Sequence, residues 1–553
     1  MMLRFTTALF LLAIIGGCDS LSDRSDYRFD QPVTVFSAQR IYTGAVSNPV
    51  VGGLVVGSEG RILATLPLDF EGQVTSSAGE VDRVSMPEAY FFPGFVDAHI
   101  HLVQIGFREL TLDLTGTGSV RSLVERVARE IETLPPGQVL YGRGWIETGW
   151  PEGRMPTAED LDVVSPENAV ILERADGHAV VANSAALLAA GISGETPDPA
   201  GGAIERDVTG APTGLLIDTA ANAVMALVAA PSEEDLIAAY VIGAEEYVSR
   251  GWTGAYNVSV EPDHAPLLKR LDLEGRMPLR LANAFEATGF DLAARRDFET
   301  PTITNRAVKL YMDGALGSRG ALLMAPYSDR PDMTGLSLMA PEALSQVMRE
   351  ADQAGVQLAI HAIGDLANRY VIDAFEAGQH SADLRWRIEH TQILNSEDIQ
   401  RLADLGLIAS MQPSHAIGDL KFAPDRLGLQ RLRGAYAWQS LIDAGALVVG
   451  GSDAPVEVGS PLIEFYAAVA RKDLEGDDGD GWHPEEALTR EQALALFTSA
   501  AAYASFQEED LGTLEVGKLA DITGFDRDLM TVPEADILEA RAVLTVVNGE
   551  VVN

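Results

Sequence analysis

Pro93-Gly94-Phe95-Val96-Asp97-Ala98-His99-Ile100-His101-Leu102 is the stretch on which the reading of the chain turns. The apolar run 90–96 reads as a buried strand, and it leads into two histidines one residue apart. Residues i and i+2 of an extended strand point to the same side. His99 and His101 therefore reach one point in space, which is what a metal ion asks of two imidazole ligands. A His-x-His pair also arises by chance and is commonly solvated. Its meaning depends on whether further ligands stand at the ends of later strands.

Working outward, residues 103–230 carry no second ligand motif and are far longer than one strand-to-strand connection requires, so they read as an inserted subdomain. Pro231-Ser232-Glu-Glu-Asp opens a helix with a capping-type signature. A regular alternation of helices and strands follows. Strands are expected at 254–258, 278–285, 307–313, 356–361, 385–390, 407–412 and 446–453. With the His-x-His strand this makes eight, the period of a (β/α)8 barrel. A doubly wound open sheet needs a Gly-rich phosphate turn after its first strand, and none is present.

Barrel enzymes carry their active sites at the C-terminal ends of the strands. Those ends hold His99 and His101, Lys309, His361, His390 and Asp453. Each has an ordinary explanation alone: a salt-bridging lysine, core histidines, a helix-capping aspartate. Metal-capable side chains at the same end of five strands make coincidence a poor account.

Short β signals with Gly-rich turns fill 33–66, and similar signals return after 520, with Asn548-Gly549 as a hairpin turn. The Asp/Gly run 476–481 lacks calcium-loop spacing and reads as a loop. The expected division is a leader at 1–17 and a tether at 18–32. Terminal β segments follow at 33–90 and 505–553, a barrel at 91–102 and 231–504, and the insert at 103–230.

Composition narrows the partners. Asp and Glu number 81 against 40 Lys and Arg, a net charge of −41, so phosphate backbones and anionic headgroups are repelled. Nucleic acid is not expected as a partner, and a small-molecule substrate is. The leader has Arg4, an apolar run 5–15 too short to span a bilayer, and Ile15-Gly16-Gly17-Cys18. These last residues resemble the bacterial lipobox, in which the cysteine is lipidated and becomes the new N-terminus. Asp19 resembles an inner-membrane retention signal of some bacteria. The expectation is a protein of the bacterial cell envelope, on the periplasmic side or the cell surface, that meets the membrane only through a lipid on Cys18. A homodimer is one admissible arrangement. Cys18 is also the only cysteine, which rules out an intrachain disulfide and cysteine catalysis.

Taken together, PGFVDAHIHL, VKLYMDGALGSRGAL, IHAIGD, RIEHTQI, GSDAP and GTLEVGKLADI resemble the amidohydrolase superfamily, and within it the YtcJ-like metal-dependent hydrolases of amidohydrolase family 3. The resemblance covers most of the chain after the leader. It implies a metallo-dependent hydrolase barrel with a small β-sandwich built from both chain ends. It also implies two divalent ions, with His99 and His101 on one and His361 and His390 on the other. Lys309, carboxylated by CO2, bridges them, and Asp453 ligates the first ion and handles protons. The insert with Asp176-Gly177-His178 is a feature of the same branch. Ile522-Thr-Gly-Phe-Asp526 departs from the branch, which usually has a fuller apolar strand there.

The charge balance suits this site. Two divalent ions carry four positive charges, and the carbamate, Asp453 and a bridging hydroxide return about three, leaving a field that favours an oxyanion. Coordination lowers the pKa of water to about 7, and a proton passed to the leaving amine lets it depart. Zinc is the default metal for N/O ligands, with Mn, Fe and Ni also fitting. His178 on the insert, His415 past the seventh strand and Arg319 after the lysine strand are candidate substrate contacts. The leading expectation is hydrolysis of an amide-type C–N bond, N-formyl or N-acyl. The alternatives are a lactonase, esterase or phosphoesterase on the same binuclear site, and an inactive surface binding protein.

Overall fold

The first barrel strand and the strand before it meet at Gly94, where the chain leaves one sheet and enters another. A Cβ on Gly94 would lie 2.2 Å from Thr253 Oγ1, so only glycine permits this crossing. The computed structural model describes residues 26–147, 149–174, 177, 179–199, 202–476 and 481–553. The run 90–96 is thus not one strand. Val81–Pro93 belongs to the terminal sheet and Phe95–Ile100 to the barrel.

Eight parallel strands follow one another around the barrel: Phe95–Ile100, Trp252–Val260, Arg280–Phe285, Ile303–Tyr311, Gln357–Ala362, Arg387–His390, Ile408–Met411 and Leu447–Gly450. All eight expected strands are present, and the fold is a (β/α)8 barrel. Continuous ladder pairing runs from the first strand to the eighth. The seam between eighth and first is closed by Asp453 N–H to His99 O at 2.8 Å and His101 N–H to Ala454 O at 2.9 Å. Asp97 fastens it further, accepting from the N–H groups of His99 and Ser452 and from the Ser452 hydroxyl. Helices cover the outside. Glu233–Arg250 opens with the expected capping box, Ser232 accepting from Asp235 N–H and Asp235 reaching back. After the eighth strand, Arg490–Phe497 and Ser499–Ala504 are two helices parted at Thr498.

The insert begins later than expected. Leu102–Leu110 is a helix of the barrel's outer layer, packed on Glu233–Arg250 so closely that a Cβ on Gly106 would meet Ala239 O at 1.8 Å. Beyond it the insert forms its own six-stranded sheet. The strand order is Gly202–Arg206, Pro212–Asp218, Ala179–Ala182, Val170–Arg174, Leu140–Trp145, Leu112–Asp113. Its faces bury separate clusters, one around Ile171, Val180 and Leu216, the other around Leu172, Val181 and Trp145.

Both chain ends meet in one seven-stranded sheet, ordered Glu550–Val551, Ala542–Val547, Ile522–Phe525, Val81–Pro93, Val33–Tyr42, Val50–Gly57, Ile62–Leu66. It is a single sheet curled on itself, with Ile62 N–H bonded to Lys518 O and Ala520 N–H to Gly60 O across the gap. The tether reading fails at its end, because Tyr27–Phe29 pairs in parallel with Val74–Ser76. The polar residue in Ile522–Phe525 has work to do at the barrel. Thr523 Oγ1 accepts from Phe95 N–H at 3.0 Å and donates to Gly251 O at 2.7 Å. The leader and Cys18 lie outside the described residues, as do positions 477–480 of the Asp/Gly run.

Candidate active site

His99 and His101 do converge. Their Nε2 atoms lie 3.4 and 3.2 Å from the same oxygen, Asp453 Oδ1. Strand alternation alone does not produce this. The pairing with Trp252–Val260 gains one residue on the first strand between Asp97 and Ile100, a bulge that re-aims His99 inward.

His390 arrives by a different device. Arg387 and Glu389 occupy the inward positions of their strand and bond to each other at 2.8 Å, so alternation would turn His390 away. A φ of 72° at His390 swings it to the cavity, and Asp453 reaches its place with a φ of 59°. Left-handed backbone at non-glycine residues costs of order 1–3 kcal/mol and concentrates at functional sites. His361 and Lys309 come directly from the ends of their strands. The rings of His361 and His390 are 4.5 Å apart, and those of His99 and His390 5.0 Å. Ligand atoms of His99, His390 and Asp453 all lie within 4.8 Å of one another.

These groups open into a cavity of about 400 Å³ whose wall also includes Tyr311, Gln392, His415, Asp419, Phe422 and Glu457. His415 Nε2 is 3.8 Å from Asp453 Oδ2 and 3.9 Å from Glu457 Oε1. Arg319 is not in this wall; its guanidinium is held by Asp329 at 2.7 and 3.2 Å. His178 lies outside the described residues.

The electrostatics suit metal ligation. Burial, with Lys309 nearby, lowers His99 to about 4 and His361 to about 3, so both rings stay neutral at neutral pH. Burial and the neighbouring His361 hold His390 well below the imidazole range. Burial alone would raise Asp453, but His99 and His101 outweigh it and keep the carboxylate well below its ordinary range. Burial also lowers Lys309, which is 1% exposed. Its Nζ is 3.3 Å from His99 Nε2, and among the described residues no carboxylate lies within ion-pair distance. A buried ammonium so placed is costly. His361 Nε2 is buried without a hydrogen-bond partner, the Asp313 carboxylate standing 3.5 Å away. Neutral imidazoles, an orphaned ring nitrogen and an ionised aspartate fit a divalent cation.

Several residues around the ligands were not singled out from sequence. Gln412 Oε1 is 2.9 Å from His390 Nδ1, and Glu389 Oε2 is 2.6 Å from His99 Nδ1. Tyr311 OH donates to Glu286 at 2.8 Å, standing beside Lys309. Asp313, pushed up to about 7 by burial, accepts the N–H groups of Leu322, Ile363 and Gly364 and ties the cavity loops together. Arg387 and Glu389, two apart in a buried strand, were the one available signal of a paired interior.

Residues 88–553 match the family described as Amidohydrolase family. The chain is 34% identical over 479 residues to the YtcJ protein of Bacillus subtilis (strain 168), covering 86% of this chain and 90% of that one. It is 32% identical over 481 residues to the N-substituted formamide deformylase of Arthrobacter pascens, covering 83% and 87%. A solved structure, an uncharacterized metal-dependent hydrolase from Pyrococcus horikoshii OT3, superimposes with a TM-score of 0.73 at 26% identity, covering 91% of this chain and 99% of that chain.

Proposed function

The chain belongs to the amidohydrolase family and is a metal-dependent hydrolase of that superfamily, and on that premise we propose that it cleaves an amide-type C–N bond in a small molecule. The observation that carries the reading is the placement of Asp453. Its Oδ1 faces His99 and His101, while Oδ2 lies on the cavity side near His415. The likeness to an N-substituted formamide deformylase supports N-formyl amines as the first substrates, with other N-acyl amines next.

In this reading His99 and His101 would hold one divalent ion and His361 and His390 a second. Asp453 would join the first pair, and Lys309, once carboxylated, would be a further ligand. Zinc is the first metal to load. When bound, such ions polarise a carbonyl and bring the pKa of a water to about 7, which supplies a nucleophile at neutral pH. Burial favours the neutral Lys309 amine, whose lone pair would add to CO2 and release one N–H proton to solvent, leaving a carbamate that would offer oxygen donors where a buried cation would otherwise stand. Asp453 Oδ2 takes a proton and passes it to the departing nitrogen, since an amide nitrogen leaves only as the amine. Phe422 and Leu316 in the wall help keep bulk water from this transfer. A lipid on Cys18 would hold the enzyme at the outer side of a bacterial membrane.

The test is the purified protein loaded with zinc, offered N-substituted formamides, other amides, lactones and phosphoesters. Amide turnover is expected, with Asp453→Asn lowering kcat by about 10²- to 10⁴-fold. Turnover confined to lactones or phosphoesters, or an undiminished Asp453→Asn, overturns the proposal.

A further inference from the structure

A line of buried polar side chains starts at His99 and runs down the barrel axis, away from the cavity. His99 Nδ1 is 2.6 Å from Glu389 Oε2, and both side chains are fully buried. Arg387 Nε donates to Glu389 Oε1 at 2.8 Å and its Nη2 to Oε2 at 3.1 Å. The same Nη2 reaches Ala98 O and Ser410 Oγ, each at 2.6 Å. The guanidinium lies 3.8 Å above the ring of Tyr256, which packs among Ala282, Ala284, Ala307 and Ala359. Small side chains leave room there for the arginine, whereas barrel interiors are ordinarily filled by branched apolar residues.

Stability is a poor reason for this arrangement. A buried ion pair seldom stabilises a fold more than apolar groups of similar volume would. What the pair does contact is a candidate metal ligand. We propose that Glu389 is a positioning residue for the metal site. It takes the Nδ1–H of His99, so that Nε2 presents its lone pair toward Asp453 Oδ1 and Lys309 Nζ, 3.4 and 3.3 Å away. Arg387 fixes the carboxylate with a forked contact. Partners of this kind set the tautomer and orientation of a ligand, and their loss costs about 10- to 100-fold in metal affinity. The inference rests on the metal-dependent reading, though not on which bond is cut.

The experiment uses the full chain and two variants, Glu389→Gln and the double variant Arg387→Met/Glu389→Leu. In Glu389→Gln, Arg387 claims the amide oxygen and the amide NH2 faces His99 Nδ1. The ring then carries its proton on Nε2 and ligates poorly. Zinc affinity, read by competition with a chromophoric chelator, is expected to fall about 10- to 100-fold in both variants. Ring ¹⁵N shifts of the metal-free protein should report His99 protonated on Nδ1 in the wild type and on Nε2 in Glu389→Gln. The double variant, free of an unpaired buried charge, should melt at or above the wild-type temperature and still bind zinc weakly. It decides the matter if Glu389→Gln does not fold. Wild-type zinc affinity in either folded variant overturns the proposal. A wild-type protein that binds no zinc would instead overturn the metal-dependent reading, so the two failures are separable.

Discussion

The terminal sheet and the barrel are both β-structures with closed interiors, yet they bury different things. Inside the sheet, Phe36, Ile41, Leu54, Phe91, Ile522 and Val546 make an apolar cluster. Inside the barrel, His99, Lys309, Arg387, Glu389 and Asp453 are buried together. The two are joined by a bidentate contact, Arg280 to Asp521, in which both side chains are nearly inaccessible. Burying apolar area is favourable wherever it happens. Burying charge is unfavourable unless each group finds a partner. Apolar burial stabilises both the sheet interior and the layer between the barrel strands and their helices, and the upper barrel is where stability is given up for a reactive centre.

Breaking one interior without the other should separate the two roles. Lys309→Ala is expected to have the largest effect. Most bound metal and all measurable turnover go, while the far-ultraviolet circular dichroism is kept. Two ions per chain in that variant would contradict Lys309 as a ligand. Phe91→Ala acts on the opposite side. It should cost about 3–5 kcal/mol in denaturant unfolding with metal stoichiometry unchanged, and a loss of metal without a loss of stability would dissolve the contrast.

Acid sharpens the comparison. His99 and His361 titrate at about 4 and about 3 in the folded protein because burial disfavours their cations. In the unfolded chain they take up protons below about 6.5. Between those values the unfolded state binds more protons, so their contribution to stability is full above about 6.5 and is lost as the pH falls through 4 and 3. Ring ¹⁵N signals of the metal-free protein should stay neutral at pH 5.5, and an imidazolium pattern there would show that the rings are not buried as described. The smallest effect on chemistry belongs to Cys18→Ser. Turnover should be unchanged while the protein leaves the membrane fraction, and continued sedimentation with membranes would defeat the lipid anchor.

Much of the barrel was legible because each strand and helix announces itself within a few residues. The helices Pro341–Ala354 and Ser396–Leu405 each carry their apolar pattern within their own bounds. Ligand candidates were legible for the same reason, since a strand end is a local feature. The split at Gly94 was hidden because an apolar run looks alike on both sides of a sheet-to-sheet crossing. The insert boundary was misjudged because the helix Leu102–Leu110 has no mark in its own sequence of the partner it packs against. Arg319 pairs with Asp329, a residue on its own loop, and loop closure of that kind leaves no periodic trace.

By itself the sequence determined the order of the strands, the residues at their upper ends and the short β segments near both chain ends, whose pairing only the family resemblance implied. Those follow from side-chain period and turn chemistry, which act over a few neighbours. Only the tertiary structure decided which atoms meet. The bulge at His99, the left-handed backbone at His390 and Asp453, and the Glu389–Arg387 pair beneath them depend on strands tens to hundreds of residues apart. Free energy for such contacts is released only when distant segments close on one another, so no short window of sequence contains it.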